Sequence, residues 1–355
     1  SLSKDGTILA VGAQGNDHAG IDSGHVRIFE NINNTWTQIG SDIVGEYAYD
    51  QCGVSVDLSD DGKIVAIGAW HNDDSPNNLP GYERVVNRGG LQVDDYYPNG
   101  HVRVYEYINN DWIQIGLDID GDITDEWSGL SVSLSSDGSI VGIGGQYSYK
   151  NRVYENIGNN WTRVGDEIPE RSSGATSLSA DGSIFVIADD NGNGGGGNGK
   201  VSIYENKTGN WAQLGSSIFR NNSNEHLLGH SIDLSANGST LAVGIPYTNN
   251  ETGGLVKVYD LINNQQIGGD INQGNVSNEF GMGLSLSADG SLLAIGAPSE
   301  SQVYDGDSFV WGGSVRLYQN INNAYVQIGD DVYGDSTMTN IGYRIDLSSD
   351  GSTLA

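Results

Sequence analysis

An all-β chain folded as a β-propeller of four-stranded antiparallel blades is what this sequence predicts. A strand-turn-strand segment recurs seven times along the 355 residues, two further strand segments follow each of the first six copies, and no stretch holds a 3.6-residue apolar period over two helical turns. The first segment reads SLSKDGTILAVGA from Ser1, VDLSDDGKIVAIGA from Val56, VSLSSDGSIVGIGG from Val132, TSLSADGSIFVIAD from Thr176, IDLSANGSTLAVGI from Ile232, LSLSADGSLLAIGA from Leu284 and IDLSSDGSTLA from Ile345. Its shared glycine falls at positions 6, 62, 138, 182, 238, 290 and 351, a blade-length spacing with loop-sized variation.

Each repeat supplies four short strands. Strands A (SVSLS-like) and B (TLAVGA-like) flank Ser-x-Asp-Gly or Ala-Asn-Gly, where Asp or Asn before Gly suits the positive φ of a tight hairpin. Strand C reads HVRIFE from His25, HVRVYE from His101, NRVYE from Asn151, KVSIYE from Lys200, LVKVYD from Leu255 and SVRLYQ from Ser314. Strand D reads TWTQIG from Thr35, DWIQIG from Asp111, NWTRVG from Asn160, NWAQLG from Asn210 and YVQIG from Tyr325, with Asn264 in place of the aromatic residue in the fifth repeat. β-Branched and aromatic runs bounded by Gly, Asn, Asp and Ser are the strand signal. Trp36, Trp112, Trp161 and Trp211 are expected between blades, and Arg27, Arg103, Arg152, Lys257 and Arg316 are expected to pair with acids at the blade edge.

Seven A–B hairpins against six C–D pairs predict a seven-bladed disc whose last blade is incomplete in these residues, rather than a six-bladed one. The whole chain, 1–355, reads as one propeller domain, with repeats at about 1–50, 51–126, 127–170, 171–226, 227–278, 279–338 and a partial 339–355. The strands C and D of the seventh blade are expected outside this numbering.

Composition removes several functions. With 46 acidic and 16 basic side chains the formal charge is −30, which leaves no clustered Lys and Arg for nucleic acid. No run approaches the roughly 18 apolar residues of a membrane span, so membrane insertion within this chain is not expected. The lone Cys52 can close no internal disulfide and build no thiolate metal site.

The sixth repeat contains Phe280-Gly281 and, after its hairpin, Gly296-Ala297-Pro298, and the composite unit of G-x-S-V-S-L-S-x-D-G-S, A-I-G-A, G-H-V-R-V-Y-E and W-x-Q-I-G runs through the chain. These elements resemble FG-GAP repeats, the blades of the integrin α-subunit propeller, and more closely the FG-GAP-type repeats of secreted and surface proteins of marine bacteria and algae. The first glycine is kept as Gly53, Gly129, Gly229 and Gly342 but is Ser173 in the fourth repeat, and the GAP element drifts to Gly244-Ile245-Pro246 and Ala188-Asp189-Asp190. Integrin blades hold calcium in an Asp-rich A–B loop; here that loop is only Ser-x-Asp-Gly, so those calcium sites do not carry over. The resemblance implies an extracellular or cell-surface location and a role in adhesion or assembly.

In such a blade the A–B and C–D turns emerge on one face of the disc, and the B–C loops and D–A links on the other. The second face collects the length variation, above all the B–C loops from Trp70 to Gly100 and from Pro298 to Gly313, which makes it the candidate binding surface. Its candidate ligand-binding residues are Trp70, Tyr82, Arg84, Tyr96, Tyr97, Tyr304, Phe309 and Trp311, since exposed rings with a few charges suit a protein or glycan. The alternative is that the rings fold back to cap their loops or fill the channel.

Asp118, Asp120, Asp122, Asp125 and Glu126 alternate around Gly121, a spacing that lets several oxygens converge on calcium. Asp42, Glu46 and Asp50 form a poorer set one repeat earlier, and Asp189, Asp190, Asn191 and Asn193 a third. Calcium is the one cofactor expected; no organic cofactor is. The six histidines form no nucleophile or His-x-x-x-His pattern, and the repeated Asp of the A–B turns reads as a turn residue, so no catalytic residue is assigned. Seven Asn-x-Ser/Thr sequons are close to the number expected by chance in this composition; Asn33, Asn160 and Asn206, in C–D turns, are the candidate glycosylation sites. The expectation is a non-enzymatic extracellular module for adhesion or assembly that binds protein or glycan or itself, with a lectin-like propeller and a polysaccharide-acting enzyme as alternatives.

Overall fold

The computed structural model describes residues 1–72, 98–123, 126–146, 149–172, 175–190, 199–220, 225–248, 253–273, 278–304, 308–334 and 340–355. Six antiparallel blade sheets follow one another along the chain, the first ordered B-C-D and the other five A-B-C-D. In blade two the strands are Ser55–Leu58, Ile64–Ala69, His101–Ile108 and Asp111–Gln114; in blade four they are Ala175–Leu178, Ile184–Asp189, Lys200–Lys207 and Asn210–Gln213. Strand A of blade one is reduced to the bridge Leu2↔Leu9, and a seventh hairpin is held by Leu347↔Leu354. Among the described residues this seventh unit has strands A and B only.

Seven is the number around which the ring closes. At the A–B turns, the N–H of Lys4 donates to the carbonyl of Asp60, Asp60 to Ser136, Ser136 to Ala180, Ala180 to Ala236, Ala236 to Ala288, Ala288 to Ser349, and Ser349 back to Lys4, each at 2.8–3.0 Å. The predicted propeller of four-stranded antiparallel blades is thus observed, with six sheets and a seventh A–B hairpin completing the circle.

The outer edge is more elaborate than the strand pattern implies. The glycine ending each strand D motif, Gly40, Gly116, Gly165, Gly215, Gly268 and Gly329, takes a φ of 67–73°, which kinks the chain back toward strand C. A second short strand then pairs with the start of strand C, as Ile43–Val44 does with His25 and Val26 and Ile119–Asp120 with His101 and Val102. In blade six the two pieces merge into Tyr325–Tyr333, with a bulge opposite Val315 and Leu317.

The core lies between blades. Val26 and Ile28 of blade one pack with Val65, Ile67 and Trp112 of blade two, and the same arrangement recurs at the following junctions. The repeated glycines explain themselves there: a Cβ on Gly68 of strand B would lie 1.9 Å from the carbonyl oxygen of Gly129 in the next link, and one on Gly296 1.9 Å from that of Gly342. Backbone meets backbone, and no side chain fits. The residue just before the link glycine fills the pocket beside this contact, as Cys52, Leu228 or Phe280, all fully buried. Burial pushes the Cys52 thiol up to about 11, so the lone cysteine is core filling.

Three of the four strand D tryptophans lean on the blade before them, whereas Trp36 of blade one, expected between blades, is exposed because the hairpin beside it shows no outer strands among the described residues. Trp112 Nε1 donates to Ile39 O (3.1 Å), Trp161 Nε1 to Ile115 O (2.8 Å) and Trp211 Nε1 to Val164 O (2.9 Å). The basic residues of strand C pair with acids as expected, but several are buried between strand C and the links rather than set at the edge. Lys257 is bonded to Glu225 at 2.8 Å, Arg316 to Glu300 and Asp331 at 2.9 and 2.6 Å, and Arg152 to Glu126. In blade four both members are exchanged together: Ser202 and Ser217 share a hydrogen bond of 3.0 Å.

Candidate functional site

The loop face starts where strand B ends. In blade two that end is Ala69, and the rings of Trp70 and His71 stack at 4.3 Å and 21°. Trp127, from the link into blade three, meets Trp70 edge-on at 4.7 Å and 89° and His71 at 5.7 Å. Trp70 Nε1 donates to Gln51 Oε1 at 2.6 Å, which fixes the ring. All three rings are half-buried, so they offer faces while resting on one another. Beside them Asp50 is buried; burial pushes its carboxyl up to about 6 although it accepts the Tyr47 N–H at 2.7 Å.

Tyr82, Arg84, Tyr96 and Tyr97 lie outside the described residues. Tyr304, Phe309 and Trp311 lie on a two-stranded ribbon, Ser301–Tyr304 with Ser308–Trp311, in the B–C connection of blade six. Blades two and six are not adjacent in the ring, so Trp70 belongs to one sector of the face and the ribbon to another. Sequence reasoning missed His71 and Trp127. Trp127 had a signal, since it stands two residues before the link glycine. Gln51, Trp127, Leu227, Glu279 and Asn340 hold that station in five links, all with φ between 48° and 60°. Recurrence makes the left-handed backbone part of the fold rather than local strain at a reactive centre. The side chains differ in kind, and they touch the roots of the B–C loops: Gln51 at Trp70, and Glu279 at the hydroxyls of Tyr247 and Ser299.

A second place is the central channel, about 570 Å³, lined by strands A. One position of strand A points into it as Ser1, Asp57, Ser133, Ser177, Asp233, Ser285 and Asp346. Each side-chain oxygen accepts the N–H of the leucine on the next strand A: Leu58, Leu134, Leu178, Leu234, Leu286, Leu347 and, closing the circle, Leu2, at 2.6–3.2 Å. The carboxylates line the bore and are surrounded by protein. Burial pushes Asp57 up to about 6 and Asp233 to about 7, and the charge of Asp346 adds to both. At the mouth stand Val54, Leu130, Met282, Arg344 and His230, whose Nδ1 lies 2.9 Å from Asp190.

The acidic set of the second link is divided. Asp122 and Glu126 meet Arg152: Asp122 Oδ2 lies 3.3 Å from its Nη2, and Glu126 is in direct contact with it. Glu126 also accepts the N–H groups of Asp122 (2.8 Å) and Ile123 (3.2 Å), and Arg163 pairs with Asp122 at 2.8 Å. Guanidinium groups therefore stand where these two carboxylates converge. Asp120 is exposed on the short strand, Asp118 turns toward His101 and Gln114, and Asp125 lies outside the described residues. In the A–B turns each carboxylate is used within its own turn, as Asp289 is by Ser287 and Ser291. Of the sequon residues, Asn33 and Asn160 are exposed, and Asn206 accepts the Gly209 N–H at 2.8 Å.

No protein-family model matches the sequence, and no curated protein matches it. Solved structures do match in shape. Hydrazine synthase of Kuenenia stuttgartiensis superposes with a TM-score of 0.62 at 12% identity, over 99% of this chain and 90% of that one. A candidate 6-phosphogluconolactonase from Bacteroides uniformis gives 0.60 at 12% identity over 98% and 88%. What they share with this chain is the β-propeller. A functionally unknown protein of Desulfotomaculum acetoxidans gives 0.57 at 15% identity over 96% and 86%. At such identities the likeness is one of fold, and function has to be argued from the sites.

Proposed function

We propose that this propeller is a non-enzymatic extracellular interaction module of the FG-GAP type, which engages a protein or glycan partner through its loop face. One observation carries the reading: the turn face is built from near-identical units, whereas the loop face holds the length variation, the Trp70–His71–Trp127 cluster and the link station whose side chain changes from blade to blade. Stacked, half-buried rings give large contact area at low entropy cost, the chemistry of a recognition surface. The channel supports catalysis less well, because its three carboxylates are each engaged in the hydrogen-bonded circle.

A lectin-like role is the second reading, favoured by the ring cluster alone. Labelled protein applied to a glycan array and to immobilised extracellular-matrix proteins, with and without EDTA, separates the two. The module reading expects binding that Trp127→Ala weakens at least tenfold while the fold persists by circular dichroism. Selective binding to one sugar class gives the lectin reading instead, and binding indifferent to Trp70→Ala and Trp127→Ala sinks both. The EDTA arm reads out the calcium expected at Asp118 to Glu126.

A further inference from the structure

Blade two departs from blade one at the charged station of strand C. In blade one the Arg27 guanidinium grips Asp42 through Nε and Nη2 at 2.9–3.1 Å. The equivalent Arg103 turns the other way. Its Nη2 donates to Val44 O at 2.8 Å and lies 3.8 Å from Cys52 Sγ, and its Nη1 is 3.7 Å from Glu46 Oε1. Asp118, the counterpart of Asp42, is left to Gln114, which donates to its Oδ1 at 2.5 Å, and to His101, whose Nδ1 stands 3.6 Å from Oδ2.

His101 is 1% exposed, and neither of its ring nitrogens has a hydrogen-bond partner. Leaving a buried polar atom unpaired is costly, so an imidazole with two such atoms asks for a ligand. The ligand atoms of Glu46, His101 and Asp118 all lie within 4.8 Å of one another. The 3.6 Å between His101 and Asp118 is too long for a good hydrogen bond. It matches the edge of about 3.3–3.6 Å that a tetrahedron with metal bonds of about 2.0–2.2 Å would have.

We propose that Glu46, His101 and Asp118 form a divalent-metal site of the zinc class, with one imidazole nitrogen, two carboxylate oxygens and a fourth position open to solvent. The donor set decides the class: calcium takes six to eight oxygens and no imidazole, whereas zinc accepts mixed nitrogen and oxygen ligands. Gln114 holds Oδ1 of Asp118 and leaves Oδ2 toward His101, the outer contact that orients a ligating carboxylate. Two carboxylates offset the dication beside Arg103, and Glu46 and Asp118 are exposed enough to admit an ion. Glu46 comes from the link between blades one and two, and His101 and Asp118 from blade two, so bound metal would clamp the link to the blade. The acidic sets read in the sequence as two separate clusters each give one ligand.

The test uses the purified chain dialysed against zinc chloride, with bound metal counted by plasma mass spectrometry and affinity measured by competition with a chromophoric chelator. One zinc per chain is expected, with affinity lowered at least tenfold by His101→Gln and by Asp118→Asn and unchanged by His25→Gln, the same position in blade one. Circular dichroism checks each variant. Should His101→Gln not fold, the double variant Glu46→Gln/Asp118→Asn, at partly exposed positions, carries the same expectation. Absence of retained zinc in the unaltered chain, equal affinity in His101→Gln and His25→Gln, equal affinity in the double variant, or tighter retention of calcium than zinc would overturn the proposal.

Discussion

Blades one and two spell nearly the same outer half, GHVRIFENINNTWTQIG against GHVRVYEYINNDWIQIG, yet the ring treats them differently. Trp112 of blade two is 7% exposed, and Trp36 of blade one is 40% exposed. The cause lies outside either blade. Trp112 rests on the outer strand of blade one through its bond to Ile39, while the neighbour on the corresponding side of blade one is the seventh hairpin, which among the described residues has no outer strands. A repeat supplies a side chain, and the adjacent repeat decides whether it becomes core.

The sharpest way to break this comparison is to truncate both rings. Trp112→Ala should cost about 3–5 kcal/mol, as for a buried aromatic residue, and Trp36→Ala less than about 1 kcal/mol; equal losses in urea denaturation would contradict the account. The charged station of strand C gives the next contrast. Lys257→Ala leaves Glu225 buried without its partner and should cost about 3 kcal/mol, whereas exchanging the half-exposed Arg27 and Asp42 together for serine, the pair blade four already uses, should leave the unfolding midpoint nearly unmoved. A smaller effect is expected in the bore, where blade one has Ser1 and blade two Asp57. Burial raises the carboxyls of Asp57 and Asp233 to about 6 and about 7, above the unfolded value of 3.8. The folded state therefore holds these protons more tightly, a contribution complete below about pH 4 and lost as pH rises through 6 to 7. Asp57→Ser and Asp233→Ser should each stabilise the fold more at pH 7.5 than at pH 4, read by thermal melts at the two pH values.

The blade plan was legible because it is local: turn glycines, β-branched runs and strand D aromatics each repeat at fixed offsets, and closure around seven followed from counting hairpins. The outer-strand kink at Gly40 and its equivalents was not, since a conserved-looking glycine at a strand end reads as a stop, while its positive φ sends the chain back to pair again. The site was less legible still. Asp118 and Asp122 stand four residues apart, yet one turns to an imidazole and the other to two arginines on the next blade, a choice made by packing across a junction that no spacing rule encodes. Trp70 was found by its type and place; its partner Trp127, 57 positions along the chain, could be found only through its station before Gly129.

The circle of turn hydrogen bonds has one member unlike the rest. Six of its links join hairpins consecutive in the chain, so a link that opens faces a tethered partner at high effective concentration and reforms at once. The Ser349–Lys4 link has no such tether short of the whole molecule. It acts as the clasp of a bracelet: breathing of the native disc should begin there, with the Ser349 amide exchanging its hydrogen ahead of the equivalent amides of Ala180 and Ala236.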